Sequence, residues 1–83
     1  MLKNKKAYNL LKGMGGILRL DPKSKVEAKF EQDRVIFFIK GDVNKLKIKN
    51  DYYTSCNIET GCNKADITFP IITVMEVMAR KLF

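Results

Sequence analysis

The chain has 83 residues, of which 46% are apolar and 30% are charged, and its formal net charge at pH 7 is +7. A chain of this length forms one small domain that buries only about 60% of its unfolded surface, so residues 1–83 are assigned to a single domain. No stretch approaches the roughly 20 apolar residues of a membrane-spanning helix. No apolar run of signal-peptide length, with a small-residue cleavage site, follows the basic start of the sequence. We therefore expect a soluble, cytoplasmic protein.

The residue types needed for several kinds of chemistry are missing. Histidine is absent, and the only cysteines are Cys56 and Cys62. Two thiols without histidine cannot supply the four ligands of a zinc site in one chain, and no imidazole is present to activate a nucleophile. Neither "GMGGIL" nor "GCNK" matches a phosphate-binding loop, because each lacks a glycine that such loops require. The sequence predicts a non-enzymatic protein without a metal or cofactor, in which both thiols are reduced.

The positive charge is unevenly distributed along the chain. Residues 1–49 carry a balance of +8, and residues 50–83 carry a balance of −1. A basic surface attracts nucleic acid, an anionic membrane surface or an anionic ligand, but solvation alone also accounts for such a balance. The charge by itself does not choose among these partners.

The first predicted element is a basic amphipathic helix over residues 3–18. Six apolar side chains fall on one helical face, with no change of phase across the glycines: Ala7, Leu10, Leu11, Met14, Ile17 and Leu18. Gly13, Gly15 and Gly16 lie off this face. Glycines inside a helix cost about 1 kcal/mol each relative to alanine, so a break at Gly15 is the alternative.

Five strands are predicted between the two prolines, at about residues 26–31, 34–40, 44–49, 53–58 and 65–69. The alternation in "KVEAKFE" and "KLKIK" is typical of half-buried strands, whereas "RVIFFIK" indicates a strand covered on both faces. Turn signals at Gly41–Asp42 and Asn50–Asp51 separate these strands, which favours a mostly antiparallel meander. Ser24 and Glu27 leave open a capping box and a short helix in place of the first strand.

The final segment, "PIITVMEVMARKLF", predicts a helix over residues 70–82, with Pro70 in its first turn. Its apolar arc is broad enough to need two packing neighbours, one of them the sheet. The predicted fold class is α+β: a mostly antiparallel sheet of four to five strands, with an N-terminal amphipathic helix and a C-terminal helix.

The order of these segments resembles the sterol carrier protein type 2 family of SCP-like lipid-binding domains. The resemblance rests on "VIFFIKG", "LKIKND", "YYTSCNIETG" and "KADITF", followed by "VMEVMARK". Ala65, Asp66 and Thr68 match the family's "A-D-x-T" strand. The resemblance covers residues 34–81, and residues 8–23 more loosely through "NLLKGM".

Three features depart from the family pattern. The segment "KVEAKFE" has no counterpart, and in an alternative register "GGILRLD" would be the family's first strand. Family members also continue with a further strand and helix that close the lipid cavity, whereas this sequence ends at Phe83. We therefore expect either a minimal member of the family or a homodimer in which a partner chain completes the wall.

The resemblance implies non-catalytic binding of a sterol, fatty acid, fatty acyl-CoA or similar apolar ligand between sheet and helices. Seven side chains would form the apolar wall: Val35, Phe37, Ile39, Val74, Met75, Met78 and Leu82. Methionine suits a cavity that admits flexible chains, although such a stripe more often forms an ordinary core. Lys45, Lys47 and Lys49 would contact an anionic head group or an anionic membrane surface.

A second class of function is a small basic module that binds nucleic acid or a protein partner, without a small-molecule ligand. Lysines close to Tyr52 and Tyr53 would serve a single strand through charge and stacking. This module needs an exposed basic and aromatic surface, whereas lipid binding needs an apolar cavity. A third possibility is a scaffold for dimerisation.

Overall fold

The computed structural model describes the backbone of residues 2–49 and 52–82 and the side chains of residues 5–49 and 52–80. In chain order the elements are β1 (Leu2–Lys3), α1 (Asn4–Gly13), β2 (Ile17–Leu18), β3 (Lys25–Phe30), β4 (Arg34–Lys40), β5 (Lys47–Ile48), β6 (Ser55–Glu59), a 3-10 turn (Thr60–Cys62), β7 (Lys64–Pro70) and α2 (Ile71–Leu82). The predicted α+β class, with a helix near each end of a mostly antiparallel sheet, is confirmed. Neither helix within these residues is long and apolar enough to cross a membrane.

The main sheet has five strands in the order β1-β3-β4-β7-β6, and every neighbouring pair is antiparallel. It is built from two hairpins, β3–β4 and β6–β7, which join through the pairing of β4 with β7. This order differs from the predicted meander, because β7 lies between β4 and β6. The tight β6–β7 connection ends at Asn63, whose φ of +52° is the left-handed conformation that asparagine tolerates.

One face of the sheet carries the apolar core and both helices. Alternate residues of the three central strands are buried on this face: Val26, Ala28, Val35, Phe37, Ile39, Ala65, Ile67 and Phe69. They form one cluster with Ala7 and Leu11 of α1 and with Val74 and Val77 of α2. Since both helices join the same cluster, they lie on the same side of the sheet. The opposite, outer face of the sheet is turned towards solvent.

The N-terminal helix ends at Gly13 rather than at residue 18. The peptide N–H of Met14 closes the last turn on the Leu11 carbonyl at 3.1 Å. Gly15 and Gly16 then adopt φ values of +80° and +68°, which favour glycine, and they turn the chain into β2. The "GGI" segment therefore begins a short strand, and the prediction of a helix through the glycines is wrong.

The strand predicted at residues 44–49 is reduced to the two residues of β5 and lies outside the main sheet. A carboxylate oxygen of Asp42 accepts a hydrogen bond from the peptide N–H of Asn44 at 3.0 Å. The Leu46 N–H donates to the Val43 carbonyl at 3.2 Å. These bonds curl the chain before β5, which pairs with β2 in a separate two-stranded sheet.

Three smaller expectations also change. The segment after Ser24 is the strand β3, which excludes the short helix that a capping box would start. Pro70 is the last residue of β7 and directly precedes α2, instead of lying in its first turn. The "VIFFI" strand is covered on one face only, because Phe37 is fully buried while the next residue, Phe38, is 40% exposed.

Candidate functional site

A groove of about 800 Å³ lies between the C-terminal end of α1 and one side of α2. Its lining residues are Gly13, Met14, Gly15, Tyr52, Thr73, Glu76, Val77 and Arg80. The four contributed by α2 are spaced by three, four and seven residues, so they share one side of the helix. The volume falls in the range of small-molecule sites, which is about 300–1,000 Å³.

The buried part of the lining is apolar and is held by the core. Met14 and Val77 are 6% and 4% exposed, respectively, and both belong to the main hydrophobic cluster. Beside Met14 the backbone of Gly15 is open, since a Cβ placed there would meet no other atom within 4 Å. Among the described residues, the groove therefore has an apolar floor held by the core and a glycine at one end.

The exposed part of the lining is polar. Glu76 and Arg80 are exposed and lie one helical turn apart on α2, whereas Thr73 is half-buried. An anionic group in the groove would be attracted by Arg80 and repelled by Glu76. An apolar floor beside one cation and one anion suits an amphipathic molecule better than a pure hydrocarbon.

The three lysines predicted to contact a head group, Lys45, Lys47 and Lys49, are all exposed on or beside β5. The peptide N–H of Lys49 donates to the Gly16 carbonyl at 2.7 Å. Since Gly16 follows Gly15, this bond brings the backbone of Lys49 next to the glycine end of the groove. The contact of these lysines with an anion stays a prediction.

The seven predicted wall residues are divided between the core and the surface. Four of them are fully buried in the core cluster: Val35, Phe37, Ile39 and Val74. Met78 packs half-buried against the same cluster, whereas Met75 is 59% exposed. The side chain of Leu82 lies outside the described residues. None of the other six is among the described residues that line the groove.

The groove-lining residues were not predicted as a group. The available signal was the glycine cluster, because Gly13 and Gly15 end an apolar segment at the point where α1 approaches α2. On the helical wheel these glycines only lie off the apolar face, so the wheel does not indicate a groove. Tyr52 and Arg80 come from distant parts of the chain, and only the packing of α2 brings them to one groove.

The titratable groups of the described residues show local electrostatic effects. Among the described residues, no three His, Cys, Asp or Glu side chains are grouped so that they could hold a metal ion. Cys56 and Cys62 are exposed free thiols. Nearby protein atoms remove part of the hydration of Cys56, and this desolvation, aided by the Asp66 carboxylate, raises the pKa of its thiol. A raised pKa lowers the population of the thiolate, which is the nucleophilic form.

Comparisons with known proteins do not identify a relative of this chain. Protein-family models, curated proteins and solved structures all give no match. The resemblance to the SCP-like family stays a prediction, and proposals of function depend on the residues of this chain.

Proposed function

We propose that the protein binds a fatty acid, without catalysing a reaction, in the groove between the end of α1 and α2. The observation that carries the proposal is the apolar floor of Met14 and Val77 beside the guanidinium-bearing Arg80. An alkyl chain on this floor leaves water, which is worth about 25 cal/mol per Å² of buried apolar surface. The carboxylate end meets the Arg80 guanidinium, a strong donor to such groups. The resemblance to the SCP-like family supports the same class of ligand.

This position of the ligand differs from the tunnel between sheet and helices that the resemblance implies. The interior at Phe37 is filled by side chains, and its ring meets Phe69 edge to face, with centroids 5.7 Å apart. A ligand there has to displace fully buried side chains from a close-packed core. A ligand in the groove requires no such displacement.

Displacement of dansyl-undecanoic acid by oleic acid tests the proposal, with oleyl alcohol as the uncharged ligand of matched chain. Arg80→Gln weakens oleic acid binding about fivefold, as expected for an exposed charge pair worth about 1 kcal/mol. Glu76→Gln strengthens it by a similar factor, because repulsion between two carboxylates is removed. Neither substitution changes the affinity for oleyl alcohol.

Lys23→Gln is the matched control, since Lys23 is an exposed cation that does not line the groove. It leaves the affinity for oleic acid unchanged. Absence of displaceable binding of the dansyl probe overturns the proposal. An equal loss of affinity in Arg80→Gln and Lys23→Gln also overturns it, because the net charge alone then explains the effect.

A further inference from the structure

The outer face of the main sheet carries a row of three lysines. Lys25, Lys40 and Lys64 lie directly opposite one another on the adjacent strands β3, β4 and β7, and all three are exposed. Neighbouring strands are about 4.8 Å apart, so the lysine row crosses about 10 Å of sheet. Like charges directly opposite each other destabilise an antiparallel pair. The row therefore opposes folding, and a bound anion would relieve this repulsion.

The lysine row is neutralised at one end only. The Lys64 Nζ lies 3.6 Å from Oε2 of Glu59, the residue opposite it on β6. Among the described side chains, Lys25 and Lys40 take part in no ion pair. Two adjacent cations that form no ion pair with a described side chain complement a ligand with several negative charges.

The next row of the same face presents an aromatic ring between two carboxylates. Phe38 is 40% exposed and lies two residues before Lys40 on the same face of β4. It is opposite Glu27 on β3 and Asp66 on β7. A ring exposed on a sheet offers a surface on which a nucleobase stacks, and carboxylates accept hydrogen bonds from base amino groups.

These neighbours also distinguish between possible anions. Lipid head groups have no aromatic base to stack on Phe38, whereas nucleic acids do. A double helix covers the faces of its bases, whereas a single strand leaves them free to stack.

We propose that the outer sheet face binds single-stranded nucleic acid, with phosphates along the lysine row and a base stacked on Phe38. This surface is separate from the groove, because the groove is formed by α1 and α2 on the other side of the sheet. Binding depends on charge and on the face of the ring, so it tolerates many sequences.

Fluorescence anisotropy of a labelled single strand of mixed sequence, titrated at several salt concentrations, tests the proposal. In the row variant, all three lysines of the lysine row are replaced by glutamine. The slope of log K against log salt then decreases in magnitude by about 2, because each lost phosphate contact accounts for roughly 0.7. Phe38→Ala weakens binding roughly tenfold and leaves the slope unchanged. The triple variant Lys45→Gln, Lys47→Gln and Lys49→Gln has the same net charge as the row variant and keeps the wild-type slope.

Urea denaturation of the same variants separates binding from folding. The row variant unfolds at a urea midpoint equal to or above that of the wild type, because repulsion between opposite lysines is removed. A folded row variant that keeps the wild-type affinity and slope overturns the proposal. Equal losses in the two triple variants also overturn it, since net charge alone would then be responsible.

Two further outcomes complete the test. Binding to phosphatidylserine–phosphatidylcholine vesicles without binding to the oligonucleotide assigns the row to a membrane and overturns the proposal. Arg80→Gln leaves the oligonucleotide affinity unchanged, whether or not fatty acid binds in the groove. Failure of the fatty acid proposal is therefore distinguishable from failure of this one.

Discussion

Substitution of Gly41 by alanine is expected to lower the free energy of unfolding by about 3 kcal/mol, because the added methyl group strains the backbone and also lies too close to Ser24. Gly41 follows β4 with φ of +149°, a conformation that costs other residues about 1–3 kcal/mol. The added Cβ would lie 2.9 Å from Oγ, 3.1 Å from Cα and 3.3 Å from Cβ of Ser24. Overpacking of this kind costs about 1–3 kcal/mol. The sum is a large part of the roughly 4–12 kcal/mol that stabilises a domain of this size.

The close approach to Ser24 can be partly relieved by a substitution at Ser24. The Ser24 Oγ is buried and has no hydrogen-bond partner among the described residues, so no bond is lost when it is deleted. Ser24→Gly removes the two side-chain atoms at 2.9 Å and 3.3 Å, whereas the close approach to the Ser24 backbone at 3.1 Å remains. Gly41→Ala should therefore cost about 1 kcal/mol less in the Ser24→Gly background.

Urea denaturation followed by circular dichroism gives the four free energies of this double-mutant cycle, provided that the m-value is the same in all four proteins. Gly61→Ala is the matched control, since a Cβ at Gly61 would meet no atom within 4 Å. Its free energy of unfolding stays within about 0.5 kcal/mol of the wild type or rises. A wild-type midpoint for Gly41→Ala, or an equal cost in both backgrounds, refutes the inferred close approach to Ser24.

Three further predictions concern other parts of the fold. Arg34→Gln removes the hydrogen bond, 2.7 Å from Nε to Oε1, that chiefly lowers the pKa of Glu31, so NMR titration should find this pKa shifted upwards. Because the pKa of Glu31 is lowered in the folded state, the Arg34–Glu31 pair stabilises the folded protein at pH values above the ordinary carboxyl pKa. This stabilisation is lost as the pH falls through the lowered pKa. Phe37→Ala lowers the free energy of unfolding by about 3–5 kcal/mol, because Phe37 is fully buried. Phe38→Ala, on the exposed face of the sheet, lowers it by less than about 1 kcal/mol. Equal urea midpoints of the two variants would contradict the burial of β4 on one face only. Gly15→Ala introduces strain at φ of +80° and lowers stability by about 1–2 kcal/mol, whereas an unchanged thermal midpoint would contradict the left-handed turn.

Elements defined by local patterns were predictable from the sequence. The alternation in "KVEAKF" predicts β3, and the helical period after Pro70 predicts α2, because side-chain burial within each element follows its own repeat. The N-terminal helix shows the limit of this reasoning. Ile17 fits the helical phase of α1, but it is buried equally well as the first residue of β2. The backbone of Gly15 and Gly16 decides between the two, and hydrophobic phase carries no information on it.

Strand order and register depend on which edges meet, and no local pattern shows this. The alternation in "KLKIK" correctly predicts that Leu46 is buried between exposed lysines. It does not predict that the turn at Asp42 directs the segment to β2 instead of to the main sheet. The lysine row is not predictable from a local pattern either, since its three members become neighbours only through the pairing of β3, β4 and β7. Sequence reasoning therefore selected the lysines around β5 and not those of the row.

The broad apolar arc of α2 also has an explanation in the structure. Val74 and Val77 face the core, as the prediction of a sheet neighbour requires. The predicted second neighbour is α1, which packs against α2 in the same cluster. Ile72 and Met75 stay 65% and 59% exposed. The groove lies on the side of α2 that includes Thr73.

The two proposed sites select different anions because their charges are arranged differently. In the groove, Glu76 and Arg80 have opposite charges, so the local charge is close to zero and a polyanion gains little there. A fatty acid gains mainly from the apolar floor and needs only one cation. On the outer sheet face, Lys25 and Lys40 form no ion pair with a described side chain, so the attraction increases with the number of phosphates that contact them. The lysine row thus favours the sheet face for nucleic acid, and the opposite charges of the groove leave it to a ligand that is mostly apolar.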